Sequence, residues 1–184
     1  MMTARLSDFV GPSDLVFQLE TALEKGTLPQ AILIEGRRGS GKKSLATALA
    51  AGLVCTGEHK PCGNCNSCKK VKTGHPDIAF ADGGEKGSVT VDDIRELRRQ
   101  AFILPNDGDK KVFIITGKMA PASQNALLKI LEEPPRGVYF IVITEHREQL
   151  LDTIISRCMP IELKPLPDEA VENFLLKKFP DAEK

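Results

Sequence analysis

Apolar residues recur at helical spacing over residues 13–25 (SDLVFQLETALEK), which predicts an amphipathic helix with Ser13 as N-cap and Gly26 just beyond its end. Residues 31–35 (AILIE) read as a short buried strand. That strand runs into the glycine-rich segment Gly36-Arg37-Arg38-Gly39-Ser40-Gly41-Lys42 and then a helical run over 43–54. Residues 77–81 (DIAFA) suit another short strand, and 90–101 (TVDDIRELRRQA) a charged amphipathic helix with Thr90 and Asp93 spaced as a capping box. The runs KVFIIT (111–116) and VYFIVIT (138–144) are β-branched and apolar throughout, as central parallel strands are. Between them, residues 122–133 read as a helix stopped by Pro134-Pro135. A short helix over 149–155, a last strand over 160–163, a hinge at 165–167 and one more amphipathic helix over 169–178 complete the pattern. Strands alternating with helices predict an α/β fold: a parallel sheet with helices on both faces.

Composition narrows the function. The 184 residues suit one domain, or one domain and the start of another. The 25 Lys+Arg balance the 25 Asp+Glu, which argues against a chain that grips nucleic acid by bulk charge. No run approaches the roughly 18 apolar residues of a membrane span. The start, MMTARLSDFV, has no secretion-signal pattern, so a cytoplasmic setting with reduced thiols is expected.

Cysteine usage is uneven. Cys55, Cys62, Cys65 and Cys68 follow one another as C-x6-C-x2-C-x2-C, while Cys158 stands far away and reads as a packing residue. Cys-x2-Cys pairs place two thiolates on one tetrahedral metal, and four close a structural zinc site with no position left for substrate. Gly63, Asn64, Asn66 and Ser67 suit the tight turns required. Two disulfides, four inert thiols or an iron–sulfur cluster are the other readings of these residues. His59 lies inside the cluster and reads as a solvated loop residue, with service as a stand-in ligand the alternative.

The glycine-rich segment matches the phosphate loop G-x-x-x-x-G-K-[ST] at Gly36, Gly41 and Lys42 and then departs from it. Lys43 replaces the hydroxyl that would ligate magnesium, and Ser44 comes one residue late, about 100° further round the helix. A second magnesium-handling acid is expected at the tip of a neighbouring strand, yet KVFIIT runs into Gly117-Lys118. The nearest following acid is Glu132, in a later helix. Gly36, Gly39, Gly41, Lys42 and Ser44 therefore form a degenerate loop that is expected not to hydrolyse ATP. Retained anion binding through backbone N–H groups is one reading of it, and a turn that only packs helix on strand is the other.

The segments GRRGSGKKS, the four-cysteine insertion, NALLKILEEPP (125–135) and Ser156-Arg157-Cys158 together resemble the AAA+ subunits of bacterial DNA polymerase III clamp loaders, of the gamma/tau and delta-prime type. The resemblance runs from Phe9-Val10-Gly11 to about Pro167, although the family's first cysteine spacing is usually longer than six. It implies an AAA+ P-loop NTPase-type domain over 1–166 with a zinc module at 55–68, and the first helix of a truncated helical lid domain over 167–184. It implies that Arg157 is an arginine finger, acting in trans on the ATP of a neighbouring subunit. The gamma/tau motor carries an intact phosphate loop and a strand-tip Asp-Glu, so the two departures here point to delta-prime, a non-hydrolysing subunit. Implied partners are gamma/tau and delta, and, within the assembly, the sliding clamp and primed DNA. Implied cofactors are structural Zn²⁺ and no assured ATP or ADP. Lacking the family's collar, the chain by itself is expected to be monomeric.

Two other functions compete: a gamma/tau-like motor ATPase, and a zinc-bearing nucleic-acid-binding module. Against the second, the chain has 8 Phe and 1 Tyr, none of them in the cysteine loop. Arg95, Arg98 and Arg99 read as a solvated helix face, with a neighbouring subunit or DNA phosphates as the alternative partner. His75 and His146 read as ordinary surface or loop residues. Thr144 and the following Glu145 stand near the family's strand-tip sensor position without an assigned role.

Overall fold

The computed structural model describes Leu6, residues 9–165, and residues 169, 171, 172 and 176. Most of the expected hinge and of the helix over 169–178 lies outside the described residues. The elements are α1 (Ser13–Lys25), β1 (Ala31–Gly36), α2 (Lys42–Val54), α3 (Asn66–Val71), β2 (Ile78–Ala81), β3 (Ser88–Val89), α4 (Val91–Ala101), β4 (Lys111–Thr116), β5 (Lys118–Met119), α5 (Pro121–Glu132), β6 (Val138–Thr144), α6 (Asp152–Ile155) and β7 (Met159–Leu163).

Five strands form one parallel sheet in the order β2-β4-β6-β1-β7. Each central strand is apolar at consecutive positions because both its faces are covered. Val112 and Ile114 of β4, with Tyr139, Ile141 and Ile143 of β6, face the core under α1 and α2. Phe113, Ile115, Phe140 and Val142 face the opposite core, under α4, α5 and α6. Phe113 and Phe140 stack at 5.6 Å between ring centroids, one of the pairs that fixes the β4–β6 register. α2 is buried on nearly every side and is rich in Ala and Leu.

Several local expectations shift. Ser13 is the first helical residue; Pro12 occupies the N-cap position, where there is no side-chain cap bond. Thr90 and Asp93 do form the capping box. The expected helix over 149–155 is two pieces, a 3-10 turn (Arg147–Gln149) and α6, separated because the Gln124 amide oxygen takes the Leu151 N–H at 2.7 Å. The cysteine insertion contains α3, a helix that no apolar periodicity announced.

Parallel strands sort the chemistry to two ends of the sheet. Gly36, Thr116 and Thr144 close β1, β4 and β6 at one end. The turns that lead into β6 and β7, with Glu132 and Arg157, lie at the other. Met159, two residues after Arg157, pairs with Ile32, four residues before Gly36, so the start of β7 lies roughly 13 Å from the loop along the strands at about 3.3 Å per residue.

Candidate functional site

The glycine-rich segment is a strand-to-helix turn with Gly41 at the N-cap of α2 in left-handed conformation (φ 85°). A Cβ on Gly41 would lie 3.0 Å from the Phe9 ring, and one on Gly36 would lie 2.6 Å from the Leu163 carbonyl oxygen. Both glycines are thus required by close approach of the chain as well as by turn geometry. Lys42 is 7% exposed and folds back into the turn. Its Nζ donates to the carbonyl oxygens of Gly36 and Arg37, each at 2.6 Å. Burial lowers the Lys42 pKa, and the Glu145 carboxylate, 3.8 Å away, opposes the shift. Arg37, Arg38 and Lys43 are exposed, and Ser44 is half-buried on the third residue of α2.

Beside Lys42 opens a cavity of about 300 Å³, lined in part by Thr116, Gly117, Gln124, Thr144 and Glu145. The tip of β4 brings no acid to it, as the sequence indicates. The carboxylate in the cavity comes from the tip of β6 instead: Glu145, whose link to Lys42 is tertiary. Gln124, 3% exposed, ties the cavity wall together, its Nε2 donating to the carbonyl oxygens of Met119 at 3.0 Å and Gln149 at 2.8 Å. The sequence motifs assign Gln124 no role; it stands immediately before NALLKILEEPP, and a glutamine at the start of an apolar-faced helix was the available signal.

The four cysteines of the insertion converge. Their Sγ atoms lie within 4.8 Å of one another, Cys55 to Cys65 at 3.9 Å and Cys62 to Cys68 at 4.0 Å. A tetrahedral ion with metal–sulfur bonds of about 2.3 Å sets its sulfurs about 3.8 Å apart, so the cluster fits a four-thiolate centre. Backbone N–H groups aim at the sulfurs: Gly57 and Cys62 at Cys55, Cys65 at Cys62, and Cys68 at Cys65, at 3.3–3.4 Å. Burial pushes the Cys65 thiol up, but donors from Cys68 and Thr56 outweigh it and bring it down to about 6. Burial drives Cys68 upward. No disulfide joins any of the five cysteines, and the Cys55–Cys65 and Cys62–Cys68 sulfurs lie beyond bonding distance. His59 stands apart, exposed and 3.6 Å from Glu24. Cys158 is buried, its thiol pushed up to about 11 by that burial, in keeping with a packing role.

Arg157 follows α6 with its guanidinium fixed on two sides. Nη1 donates to the Thr153 carbonyl at 2.9 Å, and Nη2 to Glu132 Oε1 at 2.9 Å. Two of the three arginines of α4 meet helix neighbours, Arg95 with Asp92 and Arg99 with Glu96. His146 is exposed and meets Glu148 at 3.0 Å.

His75 corrects the surface reading. It is 6% exposed; its Nδ1 accepts the Asp77 N–H at 3.0 Å, and its Nε2 lies 3.9 Å from Asp107. Burial holds its pKa below the usual imidazole value. Asp77, 1% exposed, accepts from the Asn106 N–H, Asn106 Nδ2 and the Asp107 N–H at 2.7–3.0 Å. Lys70 of α3 pairs with Asp107, so this polar knot ties the cysteine insertion to the turn before β4.

A five-stranded parallel sheet carrying a glycine-rich turn at the N-terminus of a buried helix defines the class: an AAA+ P-loop NTPase-type domain. Solved structures agree at the level of fold. A gamma-subunit-related protein of DNA polymerase III from Thermotoga maritima superposes with TM-score 0.64 at 24% identity, over 89% of this chain and 53% of that one. The Thermotoga maritima RuvB Holliday junction branch migration motor superposes with TM-score 0.64 at 16% identity, over 97% of this chain and 54% of that one.

The family follows from sequence. The profile described as "DNA polymerase III, delta subunit" matches residues 11–167. DNA polymerase III subunit delta' of Bacillus subtilis is 35% identical over 87% of this chain and 50% of its own length. The gamma/tau subunit of Mycobacterium bovis is 36% identical over 95% of this chain and 31% of its own length, and the tau subunit of Escherichia coli 37% over 92% and 27%. The chain belongs to the DNA polymerase III clamp loader family of AAA+ subunits. It spans half or less of the length of these curated relatives.

Proposed function

We propose that the chain is the AAA+ portion of a delta-prime-like clamp loader subunit that does not hydrolyse ATP and lends Arg157 to a neighbour's ATP. The observation that carries the reading is the make-up of the phosphate-loop site. Lys43 stands where a hydroxyl would ligate magnesium, and Thr116-Gly117 where the strand-tip acid would stand. A protonated lysine cannot ligate Mg²⁺, and its charge repels the ion. These residues do not fit the metal.

The position of Arg157 supports an action in trans. It lies at the opposite end of the sheet from the chain's own loop, so its guanidinium serves a phosphate held by another subunit. There it would stabilise charge developing on the transferring phosphoryl group, a contribution of roughly 10³–10⁵ in rate in comparable enzymes. The four-thiolate cluster would hold structural Zn²⁺, which fixes the insertion and takes no part in the reaction. Partners would be gamma/tau and delta, with the sliding clamp and primed DNA in the assembly, in the cytoplasm. No helix among the described residues is long and apolar enough to cross a membrane. Residues 1–166 form the nucleotide-fold domain in this reading, and 167–184 begin the lid.

The motor reading has one observation in its favour. Glu145 brings a carboxylate to the cavity beside Lys42, from a different strand than the usual acid. The two readings separate in a clamp loader reconstituted with the full-length subunit. Lys42→Ala should leave the assembly's ATPase rate unchanged, and Arg157→Ala should lower it. A rate lost with Lys42→Ala and kept with Arg157→Ala would reverse the assignment.

A further inference from the structure

We infer that Glu132 is a positioning residue for Arg157: it sets the orientation of the guanidinium that serves the neighbouring subunit. The inference rests on the arginine-finger reading above and deepens it. Glu132 is the last residue of α5, and Arg157 follows α6 by two residues. The two meet across 25 residues of sequence, with Nη2 donating to Glu132 Oε1 at 2.9 Å. On the other side, Nη1 donates to the Thr153 carbonyl at 2.9 Å, one helical turn back.

The geometry has a chemical consequence. A guanidinium carries five N–H donors in a rigid plane. Two partners on different nitrogens fix both the position and the tilt of that plane. Nε–H and one hydrogen on each Nη remain for an incoming oxyanion. An unrestrained arginine on the surface would lose rotamer freedom on meeting the phosphate, an entropic cost that is large for so long a side chain. Glu132 and Thr153 remove part of that freedom beforehand. The Thr153 contact comes from the backbone and persists in any variant, so Glu132 is the adjustable half of the clamp.

The role assigned to Glu132 is orientation, which a neutral oxygen acceptor can also provide. Glutamine keeps an oxygen at the same reach, and alanine removes it. The side chains of Arg157 and Glu132 are 36% and 51% exposed, so substitution at Glu132 leaves no buried charge unpaired.

The test uses the clamp loader reconstituted with the full-length subunit, in steady-state ATP hydrolysis with primed DNA and clamp present. Glu132→Ala should lower kcat about threefold to tenfold with KM unchanged, and Glu132→Gln should restore most of the rate. Glu132→Ala should have no further effect in an Arg157→Ala background, since a residue acting through another is silent once that other is gone. Melting of the subunit with Glu132→Ala should match the parent within a degree or two. The inference is overturned if Glu132→Ala leaves kcat unchanged or raises it, or lowers it equally with and without Arg157. A rate insensitive to Arg157→Ala itself would instead refute the finger reading, so the two failures are distinguishable.

Discussion

Removing the metal from the cysteine cluster should loosen one segment and leave the sheet standing. Structural zinc contributes on the order of 10–16 kcal/mol of binding energy, comparable with or larger than the whole stability of a typical domain. Were that energy transmitted everywhere, chelation would unfold the molecule. The packing limits the transmission. Between Cys55 and His75, Val71 is the one residue that joins either core cluster. Losing its burial is worth about 2 kcal/mol. In a domain of this size each kcal/mol shifts Tm by roughly 2–4 °C, so chelation should lower Tm by roughly 4–8 °C. α3 has six residues, too few to persist without tertiary support, and its amides should exchange freely once the metal is gone. The assay is hydrogen exchange resolved to peptides, paired with metal analysis and thermal melting, before and after a strong chelator. The account expects about one zinc per chain, exchange rising within residues 56–72 and the β4 and β6 amides unchanged. Protection unchanged in 56–72 on metal removal would refute the structural role, and global unfolding would refute the packing argument.

Two further substitutions probe other parts of the molecule. Glu145→Gln removes the carboxylate beside Lys42 and should tighten binding of inorganic triphosphate about twofold to fivefold, as suits a pair whose carboxylate is half-exposed and worth at most about 1 kcal/mol; calorimetry showing weaker binding would make Glu145 part of the site instead. Asp77 is buried, which raises its pKa, but its N–H donors from Asn106 and Asp107 outweigh burial and hold it below the usual value. Its contribution is therefore complete above the unfolded pKa of about 3.9 and is lost as pH falls through the lower folded value. Asp77→Asn should destabilise the protein by about 1–3 kcal/mol at pH 7 and by less at pH 3, read by denaturant melts at the two pH values; an equal loss at both would contradict the charge-assisted cap.

Strands buried on both faces announced themselves, because KVFIIT and VYFIVIT need no partner to be recognised as β-branched runs. The capping box at Thr90 and Asp93 was legible for the same reason: both halves lie within four residues. What escaped depends on contacts far apart in sequence. α3 owes its turn to cysteines converging from 55 and 68 and has no apolar stripe of its own. The break at Leu150 and Leu151 follows from an amide 27 residues away in Gln124. His75 could not be recognised as buried without Asp77 and Asp107 around it. In the candidate site, the loop and the four clustered cysteines were legible as motifs. The closeness of Glu145 to Lys42, and of Glu132 to Arg157, was not, since each pair joins the ends of different elements.

The central claim is that the phosphate loop of this chain does not run magnesium-dependent hydrolysis. Calorimetry of ATP binding to the purified chain, with and without Mg²⁺, together with a turnover assay, tests it most directly. The account predicts no binding, or weak binding indifferent to Mg²⁺, and no turnover. Tight Mg²⁺-dependent binding with turnover would contradict it and make the chain a motor subunit, with Glu145 or Ser44 handling the metal.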